Sequence, residues 1–246
     1  MRALKVGKYV ARMAATNADL AQAIALRDLV FRGGRTSPQD ADAYDADCLH
    51  ILIEEASGAR LVCCYRLMIL PDAAAVARSY SAQFYDLSLL AGFGAPMLEL
   101  GRFCVHPDCQ DADILRLAWG ALARWVDQTG AVMLFGCSSF EGAVGPDHDA
   151  AFVLLQAAHL APATWQPLRR APAVYDFSQL LSGQTPDLRA ALRAMPPLLR
   201  TYLAMGGWVS DHAVVDTDLD TLHVFTAVEI AKIPADRARA LRAIAG

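Results

Sequence analysis

The sequence predicts an α+β fold, one mixed and mostly antiparallel sheet with helices packed on it. Three observations carry that prediction. Short apolar runs bounded by turn residues recur along the chain. Amphipathic stretches of helical period separate some of these runs and not others. The resulting order, β-α-β-β-β-α-β-α-α-β-β, combines antiparallel runs with one clear β-α-β crossover. No internal repeat, low-complexity tract or linker interrupts residues 1–246, which read as a single domain.

Lys5–Ala11 is the first expected strand. Asn17 is placed to cap a helix running to Phe31, with Leu20, Ala23, Ile24 and Phe31 on one face. Gly33-Gly34 ends it, and Ser37-Pro38 continues the loop. Cys48–Glu55 and Leu61–Leu70 are strands split by the turn residues Ser57-Gly58. An excursion from Pro71 to Pro96 leads to the strand Leu98–His106, closed by Pro107-Asp108. Asp113–Thr129 is the strongest helix, with Leu115, Ala118, Trp119, Leu122, Trp125 and Val126 at steps of three and four and Gly130 to stop it.

Ala131–Ser138 is a buried strand and Asp149–Leu160 a helix. Thr185-Pro186-Asp187 starts another helix, with the threonine as cap. Pro196-Pro197 breaks it, the pattern resumes through Leu198, Leu199, Tyr202 and Leu203, and Gly206-Gly207 stops it. Val209–Val215 and Leu222–Ile230 pair around the loop Asp216–Thr221. Ile233-Pro234 starts a terminal helix.

Composition narrows the function. With 55% hydrophobic residues and a net charge of −4, disorder is excluded for most of the chain. The mean hydropathy of +0.27 is high for an enzyme in free solution. A bilayer-spanning helix of ~20 apolar residues is not among the expected elements, because the longest charge-free run is broken by Gln156, His159, Pro162 and Pro167. Secretory-signal character is missing from the first residues, so the expected location is cytoplasmic, with peripheral contact at the inner face of the membrane. The apolar excess is expected to line an apolar-ligand site or a membrane-facing surface. An isoelectric point near 5.8 argues against nucleic-acid binding.

The six cysteines follow no zinc spacing and are read as small buried hydrophobes; no metal site is expected. Charge is segregated. Residues 35–55 carry Asp40, Asp42, Asp45, Asp47, Glu54 and Glu55 against Arg35 alone. Residues 161–205 carry Arg169, Arg170, Arg189, Arg193 and Arg200 against Asp176 and Asp187. Solvated faces are one reading; a cation-binding rim and a dock for an acidic partner are the functional ones.

The segment LELGRFCVH is the least ordinary. Strand alternation sends Glu99, Gly101, Phe103 and Val105 one way and Arg102, Cys104 and His106 the other. A carboxylate and a guanidinium in an apolar strand need partners. Glu99 either joins an internal ion pair or holds or deprotonates a substrate amine. Arg66, inside LVCCYRLMIL, needs a carboxylate from Glu99 or from a substrate. In DADAYDAD, carboxylates at two- and three-residue steps can surround an ammonium; the competing calcium-loop reading lacks the spaced glycine and the terminal glutamate.

LELGRFCVHPD, the crossover helix, MLFGCSSF, HLAP and MPPLLRTYLAMGGWVSDHAVVD together resemble the bacterial ornithine N-acyltransferases of ornithine-lipid synthesis, from about Arg27 to Ile230. The resemblance implies a GNAT-like fold with helices on both faces of the sheet. It implies transfer of a 3-hydroxyacyl chain from acyl carrier protein to the α-amine of ornithine, giving lyso-ornithine lipid. No bound cofactor is implied, because the carrier protein delivers the acyl-phosphopantetheine.

A more distant resemblance is to acyl-homoserine-lactone synthases. Their pattern falls here on Arg27, Phe31, Asp40, Asp42, Asp45, Arg66, Glu99 and Arg102, with Asp40 in place of a glutamate. It implies Glu99 and Arg102 as catalytic residues and Asp40, Asp42, Asp45, Arg66, Arg27 and Phe31 as substrate-binding ones. Arg189, Arg193 and Arg200 are then the expected carrier-protein dock. One departure bears on the donor: the glycine-rich pyrophosphate turn of acetyl-CoA enzymes is replaced by Cys109-Gln110-Asp111-Ala112-Asp113, whose two aspartates would repel a pyrophosphate. The competing readings are the same transfer to another amino acid such as glutamine, a lactone synthase, and a non-catalytic acyl-carrier or membrane-binding module.

Overall fold

A computed structural model describes residues 3–33, 39–57 and 60–245. Gly34, Arg35, Ser37-Pro38 and Gly58 lie outside the described residues. In chain order the strands are β1 Leu4–Val6, β2 Tyr9–Met13, β3 Leu49–Glu55, β4 Leu61–Leu70, β5 Tyr85–Asp86, β6 Met97–Val105, β7 Met133–Glu141, β8 Leu168–Arg169, β9 Val174–Asp176, β10 Trp208–Val209, β11 His212–Asp216 and β12 Thr221–Glu229. The helices are α1 Asn17–Phe31, α2 Ala112–Thr129, α3 Asp149–Ala158, α4 Phe177–Leu180, α5 Leu188–Ala194, α6 Pro197–Ala204 and α7 Ala235–Ala245.

The chain forms two compact units. One holds Met1–Ile69, Leu100–Ala131 and Ala235–Gly246; the other holds Leu70–Glu99 and Val132–Pro234. Strand β6 contributes to both, with Glu99 as the last residue of its share in the second unit.

In the first unit the strand order is β1-β2-β3-β4-β6, and the pairs β1/β2, β2/β3 and β3/β4 are antiparallel. Neighbouring residues of β4 point to opposite faces. Cys64 packs with Ala23 and Leu26 of α1, Leu52 and Cys104. Tyr65 instead donates its hydroxyl to the Ala118 carbonyl of α2 and stacks on Phe103 at 5.5 Å. Helices α1 and α2 therefore cover opposite faces, and Phe103 is split from Cys104 as expected. The alternation fails at Gly101, which faces Arg66 instead of the Phe103 side, beside Arg102 at φ +52°.

In the second unit, β6 and β7 pair in parallel from Met97↔Met133 to Glu99↔Phe135, the product of the predicted crossover. The order continues through β12, β11 and β9, antiparallel throughout. Leu222, Val224 and Phe140 pack against Phe152 of α3, Met195 and Leu199. On the opposite face, Tyr85 lies against Phe225 and His223.

Several boundaries move for identifiable reasons. The expected strand Lys5–Ala11 is a hairpin, because Gly7 turns the chain at φ +56° and pairs Leu4 with Ala11. Thr16, not Asn17, caps α1: its hydroxyl accepts from Asp19 N–H while the Asp19 carboxylate accepts from Thr16 N–H. Asp187, not Thr185, caps α5. The expected strand Val209–Val215 is interrupted at Ser210, whose hydroxyl donates to the His212 carbonyl and accepts from Phe225 N–H. Strands β5, β8 and β9 were not expected; at two or three residues they carry no readable period. Among the described residues no helix is long and apolar enough to cross a membrane.

Candidate functional site

Six of the residues expected at the site meet in the first unit. Helix α1 carries Arg27, the short 3-10 helix Ala43–Asp47 and the residues before it carry the aspartates, β4 carries Arg66 and β6 carries Arg102. Asp42 fixes the acidic loop locally, accepting from Tyr44 N–H, while Asp45 accepts from Asp42 N–H. Each arginine then reaches in from a different element.

Arg27 is 1% exposed. Its Nε donates to Asp40 Oδ2 and its Nη1 to Asp45 Oδ1, both at 2.7 Å, and Nη2 also binds the Asp40 carbonyl. Arg66 Nη1 donates to Asp42 Oδ1 and Asp45 Oδ1, each at 2.6 Å, and Nη2 to Asp42 Oδ2 at 2.9 Å. Arg102 forms ion pairs with Asp40 at 3.0 Å and Asp42 at 3.4 Å. Arg32 Nε adds a longer contact to Asp40 at 3.6 Å. Four guanidiniums thus face three carboxylates in a largely desolvated cluster, the arrangement in which charges are tolerable only as partners. Burial pushes the Asp45 carboxyl up, but bonds and charge from Arg27, helped by Asp42 N–H and Arg66, bring it down to about 2. Burial disfavours the Arg66 cation, and Asp42 and Asp45 more than restore it.

These contacts correct the sequence reading in one respect: the carboxylates that Arg66 needs come from Asp42 and Asp45 of the acidic loop, not from Glu99 or a substrate. Asp40 and Asp45 hold protein cations from within the core, whereas Asp42 keeps a quarter of its side chain exposed. Asp28, which the sequence reading overlooked, accepts from Asp40 N–H at 2.5 Å; its one signal was adjacency to Arg27. Phe31 packs on the Cys64–Cys104 cluster at the end of α1.

Glu99 belongs to the second unit and is 4% exposed. Its Oε1 accepts from Ser81 N–H at 2.7 Å and from the Ser81 hydroxyl at 2.6 Å, and its Oε2 from Tyr80 N–H at 2.7 Å. Cys137 Sγ lies 3.4 Å from the Ser81 hydroxyl. Neither Tyr80 nor Ser81 stood out in the sequence, because they act chiefly through backbone N–H groups, which no side-chain pattern records.

The N-terminus of α2 is closed by carboxylate. Asp111 caps it, accepting from Asp113 N–H at 3.0 Å and from the Tyr9 hydroxyl at 3.1 Å, and Asp113 lies in the first turn. Arg189, Arg193 and Arg200 are exposed on α5 and α6, in the second unit. Among the described residues no group of three or more His, Cys, Asp or Glu is placed to hold a metal ion.

The acetyltransferase (GNAT) domain family matches residues 26–120, the stretch that holds Arg27, the acidic loop, Arg66, Glu99 and Arg102. With a mostly antiparallel mixed sheet and its helices, this defines an acyltransferase of GNAT type. The L-ornithine N(alpha)-acyltransferase of Rhodobacter capsulatus is 34% identical over 195 residues, covering 77% of this chain and 74% of that protein. That of Brucella abortus is 30% identical over 246 residues, covering 93% and 87%. The chain belongs to the L-ornithine N(alpha)-acyltransferase family. Among solved structures, FeeM, an N-acyl amino acid synthase from uncultured soil microbes, shares the fold with a TM-score of 0.53 at 9% identity, covering 92% of this chain and 94% of that one.

Proposed function

We propose that the chain transfers a 3-hydroxyacyl group from acyl carrier protein to the α-amine of ornithine, giving lyso-ornithine lipid. The acceptor follows from the relatives' names. The observation that carries the donor is Asp111. As cap of α2 it takes the Asp113 N–H and places a carboxylate where a pyrophosphate would sit, and Asp113 adds a second negative charge. Coenzyme A needs such a phosphate site for its nucleotide; a carrier-bound phosphopantetheine does not.

In the reaction the amine nitrogen attacks the thioester carbonyl, the C–N bond forms, the C–S bond breaks and the thiol leaves with a proton. No acyl-enzyme is required. Glu99 takes the proton from the ammonium, directly or through water, in a carboxylate oriented by Tyr80 and Ser81. The arginine–aspartate cluster sets the acidic loop, and Asp42, its most exposed carboxylate, faces a substrate cation while Arg102 steadies the substrate carboxylate.

The three bonds to Glu99 also favour a second reading, in which it only anchors the Tyr80–Ser81 turn. Glu99→Gln separates the two. Either way the amide NH2 faces a backbone donor and the melting temperature falls, so kcat of the folded variant decides: a base predicts a loss of about 100-fold or more, an anchor predicts kcat nearly kept. The reaction itself is tested by incubating the protein with 3-hydroxyacyl carrier protein and single amino acids and reading products by mass. Lyso-ornithine lipid is expected. Turnover only with acyl-coenzyme A, or only with another amino acid, overturns the proposal.

A further inference from the structure

We infer that the outward face of α5, together with Arg200 of α6, is a membrane-contact surface that takes an anionic lipid bilayer. The inference rests on the proposed reaction only in that its product is an amphiphile. Helix α5 has two apolar faces. Inward, Ala191 and Met195 are buried, Met195 in the cluster with Phe152, Phe177 and Leu199. Outward, Leu188 and Leu192, one turn apart, are 59% and 43% exposed. Packing of the core accounts for the first pair and leaves the second unexplained.

The charges beside these leucines point to the occupant. Arg189 and Arg193, also one turn apart, are exposed. Arg200 Nη1 donates to the Leu192 carbonyl at 3.3 Å, which brings a third guanidinium to the same end of the helix. The nearby acid, Asp187, is engaged as the cap, accepting from Ala190 N–H at 3.0 Å. An acidic protein surface would be held by the arginines but offers little to two largely exposed leucines beside them. A bilayer interface uses both, with leucines in the acyl boundary and guanidiniums on the phosphates. Each arginine close to an anionic surface contributes about fivefold in affinity.

The test is flotation of the full chain with phosphatidylglycerol vesicles and, separately, phosphatidylcholine vesicles. Binding to phosphatidylglycerol is expected, weakened by salt and reduced about tenfold or more in both Leu188→Ser/Leu192→Ser and Arg189→Glu/Arg193→Glu. The leucine variant should keep its melting temperature and its turnover with soluble substrates. Absence of binding to phosphatidylglycerol overturns the inference, as does equal binding by the parent and both variants. So does a leucine variant that keeps vesicle binding but has a raised KM for acyl carrier protein, which makes the face a protein dock. Flotation needs no substrate, so its outcome is independent of whether the proposed reaction is correct.

Discussion

Arg66 grips Asp42 with both arms of its guanidinium, Nη1 on Oδ1 at 2.6 Å and Nη2 on Oδ2 at 2.9 Å. Nη1 also reaches Asp45 at 2.6 Å, so one planar cation spans two carboxylates of the acidic loop. A lysine carries the same charge but cannot make two parallel bonds from a single ammonium. Arg66→Lys should therefore lower stability by about 1–3 kcal/mol, a few degrees in melting temperature. Arg66→Met should cost more, because it leaves Asp45 with Arg27 alone and Asp42 with only the longer contact to Arg102. Combining Arg66→Met with Asp42→Asn should cost clearly less than the two single losses added, in a thermal-melt double-mutant cycle. Additive losses would mean that the pair is not coupled.

Asp45 makes the same cluster sensitive to acid. Its folded carboxyl, at about 2, lies below the ordinary carboxylate value near 3.9, so the folded state favours the ionised form. The resulting stability is fully present above the unfolded value and is lost as pH falls from about 4 through about 2. The shift corresponds to about 2–3 kcal/mol. Urea melts at pH 5 and pH 2.5 should show a smaller acid-induced loss in Asp45→Asn than in the parent. An identical loss in both would place the acid lability elsewhere.

How much of this was readable depends on which group does the bonding. Arg66 and Arg102 stood out because charged side chains in apolar strands need partners, Asp40, Asp42 and Asp45 because their carboxylates recur at close steps, and Arg27 only through the family resemblance; the fold pairs all six. Their pairing with one another was not readable, because a sequence cannot distinguish an internal carboxylate from one awaiting a substrate. The Glu99 contacts were hidden for another reason: Tyr80 and Ser81 contribute N–H groups that every residue but proline has. Helix limits set by period, such as Leu115 to Val126 with Gly130 behind, were legible. Caps were less so, since Thr16 and Asn17 are both good candidates and only backbone geometry selects Thr16.

The cysteines divide by burial in a way that chemistry can read. Cys63, Cys64 and Cys104 are buried, whereas Cys48, Cys109 and Cys137 are partly exposed. Burial pushes the Cys63 thiol up, and a hydrogen bond with Cys64, together with burial, does the same for Cys104. The thiolate is the form that reacts. Iodoacetamide at pH 8 should therefore label the three partly exposed cysteines of the native protein and spare the buried three, with all six labelled in denaturant. Peptide mass mapping reads the pattern. Native labelling of Cys63 or Cys104 at the rate of Cys109 would show that this part of the sheet opens readily.

Arg102 sits in the left-handed region, at φ +52°, where a side chain costs roughly 1–2 kcal/mol and glycine costs little. The conformation persists with the guanidinium held against Asp40 and Asp42. Removing the side chain in two ways separates backbone strain from charge. Arg102→Ala loses the ion pairs and keeps the strain; Arg102→Gly loses the ion pairs and relieves it. In an ordinary strand position alanine is the more stable of the two. Here the glycine variant should be the more stable by about 1 kcal/mol, while both lose acyl transfer to a similar extent if the guanidinium contacts substrate. Chemical denaturation of the pair gives the difference directly. If alanine is the more stable, the backbone at Arg102 is not left-handed in solution, and the turn that aims its guanidinium into the acidic loop has another origin.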